Sequence, residues 1–449
     1  MTSFSDLTLV EPILRALEKQ GYETPTPIQS SAIPLLLEGK DLMGIAQTGG
    51  GKTAAFVLPL LQRLSHERTR PKPNMPTAII IAPTRELASQ IGKAIQVFTR
   101  DIKMFHTVVY GGAPYGPQMQ DLKRGVDILV ATPGRLMDHM KRRTIILDNV
   151  QTFILDEADR MLDMGFVDDV QEISSKMPKE HQTVMFSATM SPQIKRLSKS
   201  LLNKPEYVEA PRETAVAETI NHSVLMVSRD HKKDLLMHLL GMPDKTKVIV
   251  FVRTKASTEA LVEDIQNAIE GIKANCIHGD KPQRARERTL RSFKNDRISV
   301  LVATDVAARG IDVSGITHVI NYDLPMEAEN YVHRVGRTGR AGASGIAISI
   351  CEPRERNLLR SIEQMIEMKV PVDNDHPFPA PAHKERRAPG KAKGRPFSKT
   401  KKPSFKGKPK AAANSGKRGD FRSKSGPGKP SGRAFAKPGS KRQSFKRAS

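Results

Sequence analysis

Ala46, Gln47, Thr48, Gly49, Gly50, Gly51, Lys52 and Thr53 follow one another between the apolar stretch "DLMGI" and the helix-like run "AAFVLPLLQRL". A glycine-rich turn at the positive end of a helix lets backbone amides cradle phosphates. Lys52 would reach the outer phosphates and Thr53 would be available to the shell of a magnesium ion. The strict phosphate-loop pattern has glycine where Ala46 stands, and such a turn can also precede an ordinary amphipathic helix. The strand-loop-helix context favours the phosphate reading. Further along, the apolar Phe153-Ile154-Leu155 ends abruptly in three acids, Asp156, Glu157 and Asp159. One Asp suffices to cap a helix, and the helix dipole favours acids in a first turn, so the string alone fits a solvated helix start. Beside a phosphate loop it has a second use. Nucleotide hydrolysis needs an acid at a neighbouring strand end to hold Mg²⁺, largely through water, and a group to orient or deprotonate the attacking water. Asp156 suits the first role and Glu157 the second, with Thr53 and Asp156 as the metal contacts. Asp159 is then free to couple to the next strand end, Ser187 to Thr189 ("SAT").

These groups need strands that end together. From residue 40 to 210 the runs "DLMGIA", "TAIIIAP", "FHTVVYG", "VDILVAT", "TFILDE" and "TVMFSAT" alternate with helix-length amphipathic segments. Short apolar runs of this kind read as buried parallel strands, joined by right-handed crossovers. A stretch rich in proline and small polar residues, Asn203 to Asn221, breaks the rhythm. It then resumes with "HSVLMVS", "KVIVFV", "KANCIHG", "SVLVAT", "THVINY" and "GIAISI", and ends in a helix near Glu352 to Met368. Two doubly wound α/β domains in tandem are expected. The halves share no evident sequence repeat, and the phosphate-loop pattern occurs in the first.

At 449 residues the chain has room for two or three domains. Two cysteines, Cys276 and Cys351, provide no disulfide framework and no zinc-type cluster. The start of the chain lacks a basic segment followed by an apolar one, and no apolar run reaches the roughly 18 residues of a spanning helix. A cytoplasmic protein without membrane contact is expected. Charge is concentrated at one end: residues 381 to 449 hold 23 Lys and Arg against Glu385 and Asp420, which is +21 of the net +24. That stretch has no Ile, Leu, Val or Met, and 26 of its residues are Gly, Pro or Ser, so little is available to offset the entropy of ordering. A disordered basic tail is expected. Phe397, Phe405, Phe421, Phe435 and Phe445 lie among its cations, a pattern suited to RNA or ribonucleoprotein.

The strings "AQTGGGKT", "PTREL", "DEAD" (Asp156 to Asp159) and "SAT" occur in order with "GYETPTPIQ", "TPGR", "HGD", "TDVAARGID" and "HRVGRTGR". Together they resemble the DEAD-box ATP-dependent RNA helicases from about Phe4 to Ala341. The short amino terminus and basic tail look most like the bacterial RhlE-like branch. The resemblance implies two tandem RecA-like doubly wound parallel-sheet domains plus a disordered basic C-terminal tail. Its expected divisions are a glutamine-motif region at 1–30, an ATP-binding domain at 31–205, a linker at 206–220, a second helicase domain at 221–370, and the tail at 371–449. It implies ATP and Mg²⁺ as cofactors. Gln29 matches the glutamine that pairs with adenine, and a carboxamide can accept from N6 while donating to N7. Phe4 matches an aromatic stacked near the base, and Asp312 a ribose contact. Arg337 and Arg340 match arginine fingers for the γ-phosphate, so that catalysis by Lys52, Asp156 and Glu157 would require the domains to close. His333 matches a link towards Asp159, Ser187 and Thr189. RNA would be held by Arg85, Gly111, Gly112, Thr132, Pro133, Gly134 and Arg135 on the first domain. Arg253, Gln283, Arg286 and Thr304 would hold it on the second, through phosphates rather than bases. The implied activity is RNA-dependent ATP hydrolysis with cooperative binding of single-stranded RNA and ATP, local opening of short duplexes, and reset by hydrolysis. Ribosome assembly and RNA decay are the settings it suggests, with partners to match. An ATP-dependent clamp or annealer with little unwinding is the alternative, and a DNA-directed motor of the same superfamily is a further one.

Overall fold

The computed structural model describes residues 3–46, 50–66, 70–210, 220–308, 313–339 and 344–380. Gln47, Thr48, Gly49, Asp312, Arg340 and positions 381–449 of the tail lie outside the described residues.

Seven strands form the first sheet: β1 Leu42–Ile45, β2 Ala78–Ile81, β3 His106–Val109, β4 Ile128–Ala131, β5 Thr152–Leu155, β6 Gln182–Ser187 and β7 Glu206–Glu209. All pair in parallel, in the order β3-β4-β2-β5-β6-β1-β7. The central ones are wholly buried, because crossover helices cover both faces. Alternation then divides the side chains between two cores: Ala78, Ile80 and Ile154 enter one, while Ile79, Ile81, Phe153 and Leu155 enter the other.

A second sheet follows: β8 Ile220–Met226, β9 Val248–Phe251, β10 Ala274–Ile277, β11 Val300–Ala303, β12 His318–Asn321, β13 Gly345–Cys351 and β14 Val372–Asp373. It too is parallel, ordered β10-β11-β9-β12-β13-β8-β14. Counted from its own first strand, this is the winding of the first sheet. The two tandem doubly wound domains expected from the sequence are therefore present, and they share one topology without an evident sequence repeat.

The structure adds strands where none was expected. Glu206–Glu209, at the start of the stretch read as linker, pairs with β1, and Ile220 at its end already belongs to β8. Residues 371–380, read as the start of the tail, dock on the second sheet. Val372–Asp373 pairs with β8, and the Ala380 amide donates to the Met226 carbonyl at 2.8 Å. The closing helix is a 3-10 turn, Pro353–Glu355, followed by Arg356–Met365. Among the described residues no helix is long and apolar enough to cross a membrane.

Parallel winding gathers all the carboxyl ends of a sheet on one edge, where ligands of open α/β sheets bind. Ala46 follows β1, Arg85 follows β2, Gly111 follows β3, Thr132 follows β4, Asp156 follows β5, and Ser187 ends β6.

Candidate nucleotide and nucleic-acid site

The phosphate loop is tied to the glutamine region by hydrogen bonds. Thr26 begins the helix Pro27–Leu37, and its amide donates to Gln29 Oε1 at 3.0 Å. Gln29 Nε2 donates to the Gly51 carbonyl at 3.0 Å, and the Thr26 hydroxyl to the Gly50 carbonyl at 2.9 Å. Gly51 has φ +85°, and a Cβ there would collide with Gln29 and Thr26. Only glycine meets both conditions. The Gln29 carboxamide retains one lone pair and one N–H beyond these bonds, the pair of groups that adenine would use. Lys52 is the first residue of the helix Lys52–His66. It is buried, and its ammonium donates to the Ala46 carbonyl at 2.9 Å. Thr53 follows it in the first turn. The Ala46 amide donates to Ser187 O at 3.0 Å, linking the loop to the end of β6. Phe4 is 4 % exposed with its ring edge-on to Tyr22, centroids 6.2 Å apart. In this conformation it packs the first domain and offers no open face to a base, which departs from the stacking expected of it.

The three acids divide by environment. Asp156, 2 % exposed, accepts from the Glu157 amide through Oδ1 at 3.0 Å. Burial pushes its carboxyl up to about 6, Glu157 and Asp159 add to this, and Lys52 opposes it. Burial would raise Glu157 as well, but Arg160, Lys52 and Arg337 together outweigh it and hold the group down to about 2. Glu157 Oε2 accepts from Arg160 Nη1 at 2.6 Å in a buried pair, and the Glu157 backbone is left-handed at φ +54°. Two adjacent carboxyls are thus pushed apart in acidity by their neighbours. Asp159 turns away: its Oδ2 accepts from the amides of Ala188 at 2.9 Å and Thr189 at 3.1 Å.

Across from these groups lie residues of the second domain. A cavity of about 280 Å³ is lined by Glu157, Asp159, Arg160 and Thr189 on one side and by His333 and Arg337 on the other. Arg337 is buried, with Nε donating to the His333 carbonyl at 3.1 Å.

Arg85, Gly111 and Gly112 meet on the first domain. Gly112 has φ +79°, and a Cβ there would strike the Arg85 guanidinium, so this glycine makes room for that side chain, while a Cβ at Gly111 would make only ordinary contact with it. Thr132 precedes the helix Pro133–Lys141, whose first turn carries Pro133, Gly134 and Arg135. The Arg135 guanidinium is set by the Ala113 carbonyl and Gln118 Oε1, both at 3.2 Å, and by the Tyr115 ring, 4.4 Å to its centroid. Gln118 Oε1 also lies 3.2 Å from His139 Nε2.

On the second domain Thr304 is buried and follows β11. Arg253 donates through Nη2 to Glu355 at 2.9 Å. Gln283 and Arg286 open the helix Gln283–Lys294, and both are buried against Glu86 of the first domain, at 3.2 and 3.0 Å. Tyr110 OH donates to Glu287 at 3.3 Å beside them. Glu86, Arg160, Gln118 and Tyr115 were not singled out from the sequence. Arg160 carried a signal, since an Arg three residues after Glu157 lies on the same helix face. Glu86 stands within "PTREL" but has partners 197 residues away.

Two family models match the chain: "DEAD/DEAH box helicase" over residues 26–197 and "Helicase conserved C-terminal domain" over 231–342. The chain is 46 % identical over 368 residues to the DEAD-box ATP-dependent RNA helicase CshA of Bacillus subtilis, covering 82 % of this chain and 73 % of that one. Among solved structures it resembles Saccharomyces cerevisiae Dbp5 bound to RNA and ADP BeF3, with TM-score 0.74, 31 % identity, and 83 % and 96 % of the two chains covered. It also resembles the DEAD-box helicase Mss116 bound to ssRNA and UDP-BeF, with TM-score 0.76, 28 % identity, and 84 % and 81 % covered. The curated relative is a CshA, so the likeness carries the family and not the RhlE-like branch.

Proposed function

The chain belongs to the DEAD-box ATP-dependent RNA helicases, and from that premise we propose that ATP and single-stranded RNA bind cooperatively in a closed arrangement of its two domains. As a member of this family it is an RNA-dependent ATPase. The observation that carries the finer reading is the cavity shared by Glu157 and Asp159 of one domain with His333 and Arg337 of the other. A guanidinium there would meet charge developing on the γ-phosphate, so hydrolysis depends on closure. The Gln283 and Arg286 contacts to Glu86 support closure over the RNA side as well. Simultaneous occupancy by RNA and nucleotide in the similar Dbp5 and Mss116 structures supports it further. RNA would run along Arg85, Gly111, Gly112, Thr132 to Arg135, Arg253 and Thr304. Closing on one strand would displace a short duplex partner, and hydrolysis would reset the enzyme. Each ligand then tightens the other by the same factor. Ribosome assembly or RNA turnover is the setting we infer, in the cytoplasm.

The residues present fit a magnesium ion. The donors are oxygens, Asp156 uses Oδ1 on the Glu157 amide, and the Thr53 hydroxyl lies in the first turn after the loop, a sparse set suited to an ion that keeps most of its water. Thr53 and Asp156 would hold it, largely through water, and its charge would offset that of the phosphates. Lys52 would hold the outer phosphates, Gln29 would select adenine, and Glu157, ionised and restrained by Arg160, would orient the attacking water.

Steady-state ATP hydrolysis with single-stranded RNA, with single-stranded DNA, and with neither tests this reading. RNA alone should stimulate, and Glu157→Gln should lower the stimulated rate by about 100-fold or more while retaining RNA binding. Equal stimulation by DNA would overturn it. Stable ATP-dependent RNA complexes without strand separation would favour the clamp.

A further inference from the structure

We propose that the first domain carries a second single-stranded RNA contact on the edge opposite the phosphate-binding face, at the amino ends of β2, β3 and β4. Two cavities of about 860 and 640 Å³ lie there and share Arg70, Pro71, Lys72 and Phe105, so they adjoin as one groove with Phe105 lining both halves. Each has the volume of an ordinary ligand pocket. Arg70, Lys72, Lys103, Lys123 and Arg124 line it and are exposed.

Its two acids are turned to structural use. Asp121 accepts from the Thr107 hydroxyl at 3.2 Å and pairs with Arg124 at 3.5 Å, and Asp127 Oδ2 accepts from the Phe105 amide at 2.8 Å. The cations therefore set the potential of the groove. Phe105 is 60 % exposed, an expensive place for an aromatic ring, yet its backbone is fixed on both sides. Its carbonyl accepts from the amides of Asp127 at 2.8 Å and Ile128 at 3.1 Å. A ring standing in water on a fixed backbone among dispersed cations suits a stacked base flanked by phosphates, with little backbone ordering to be done on binding.

The groove is also continuous with the proposed RNA path. Phe105 precedes β3, one of the two edge strands of the sheet, and Gly111 and Gly112 follow it. Six residues at ~3.3 Å each put the two ends about 20 Å apart along an open sheet edge. A strand leaving the glycine pair can round that edge and reach the groove, so long RNA is held at two places and short RNA at one.

This inference rests on RNA being the ligand of the main site, and the test separates the two. Affinity and ATPase stimulation are measured for the full chain with oligouridylates of about 8 and about 25 nucleotides, the lengths chosen to occupy one site or both. Phe105→Ala and Lys103→Glu/Lys123→Glu are compared with wild type. Both variants should bind the long oligonucleotide about fivefold or more weakly, with a shallower salt dependence, while short-oligonucleotide affinity and the RNA-saturated ATPase rate stay unchanged. Ultraviolet cross-linking should place the long RNA on the peptide containing Phe105. Unchanged long-RNA affinity in both variants would overturn the second contact. So would wild-type binding of poly-glutamate that both variants lose without any change in RNA affinity, since the groove would then dock an acidic polypeptide. Absence of stimulation by the short oligonucleotide would instead fault the main site.

Discussion

Glu86 and Glu157 are both buried acids, and each is held by an arginine, but one pair stays within a helix turn while the other joins two domains. Removing one partner of a buried, hydrogen-bonded charge pair leaves the other uncompensated. Glu86→Ala should therefore weaken the closed state, leaving Arg286 and Gln283 facing each other's donors. The expected outcome is a loss of about tenfold in the coupling between ATP and RNA affinity, read from RNA titrations with and without a nonhydrolysable ATP analogue. Unchanged coupling would mean that closure does not use this pairing. His139 makes a different prediction. It is fully buried behind Arg135, and burial, with Arg135 second, lowers its pKa from 6.5 to about 4. A histidine depressed in the folded state takes up its proton on unfolding, so its contribution to stability is whole above about 6.5 and is lost as pH falls towards 4. Between pH 7 and pH 5 the unfolding free energy of wild type, from denaturant titrations, should drop by about 1–2 kcal/mol more than that of His139→Gln, after allowing for screening. Equal drops would place the acid sensitivity elsewhere.

The shared winding of the two sheets sets matching elements side by side, and they have diverged in instructive ways. Lys232 starts the helix after β8, as Lys52 starts the helix after β1, and it is equally buried. Its ammonium is held by Asp323, beyond β12, at 2.9 Å and by Glu352, beyond β13, at 3.3 Å. The intervening turn, Val227 to His231, contains no glycine. The second domain thus fills the place of a nucleotide with its own ion pairs, and equilibrium binding of a fluorescent ATP analogue should give one site per chain. Two sites would contradict this. Lys232→Ala should destabilise the second domain by about 3–5 kcal/mol, because Asp323, Glu352 and Glu355, the last at 3.8 Å, would lose their shared cation. The sequence made the interior strands legible for a physical reason: a strand buried on both faces must be apolar throughout. The same reason hid one edge strand of each sheet, β7 and β14. "EYVE" in β7 buries one residue of four, and β14 is two exposed residues, so neither shows an apolar run. The phosphate loop and the three acids were legible because each is a compact string at a strand end. The Glu86 pairings were not, since no local pattern joins residue 86 to residues 283 and 286.

At the scale of the whole chain, charge and chemistry occupy different regions. Positions 381–449 carry +21 of the +24, whereas the residues that gather around the nucleotide and RNA path precede them. Affinity from neutralised phosphates is additive and salt-dependent, whereas under the proposed mechanism the catalytic rate depends on closure of the two domains. The two should therefore separate on truncation. Deleting 381–449 should weaken RNA binding by about tenfold or more at low salt and flatten the dependence of affinity on salt by about 0.7 for each phosphate of a single strand that the tail no longer neutralises. The ATPase rate at saturating RNA should remain within about twofold, since Lys52, Glu157 and Arg337 are untouched and only the RNA concentration needed for half-stimulation rises. A truncated enzyme with unchanged affinity and salt slope would show that the tail does not tether RNA. One whose saturated rate collapsed would show that the tail acts on closure itself, and the division between a binding tail and a catalytic pair of domains would have to be abandoned.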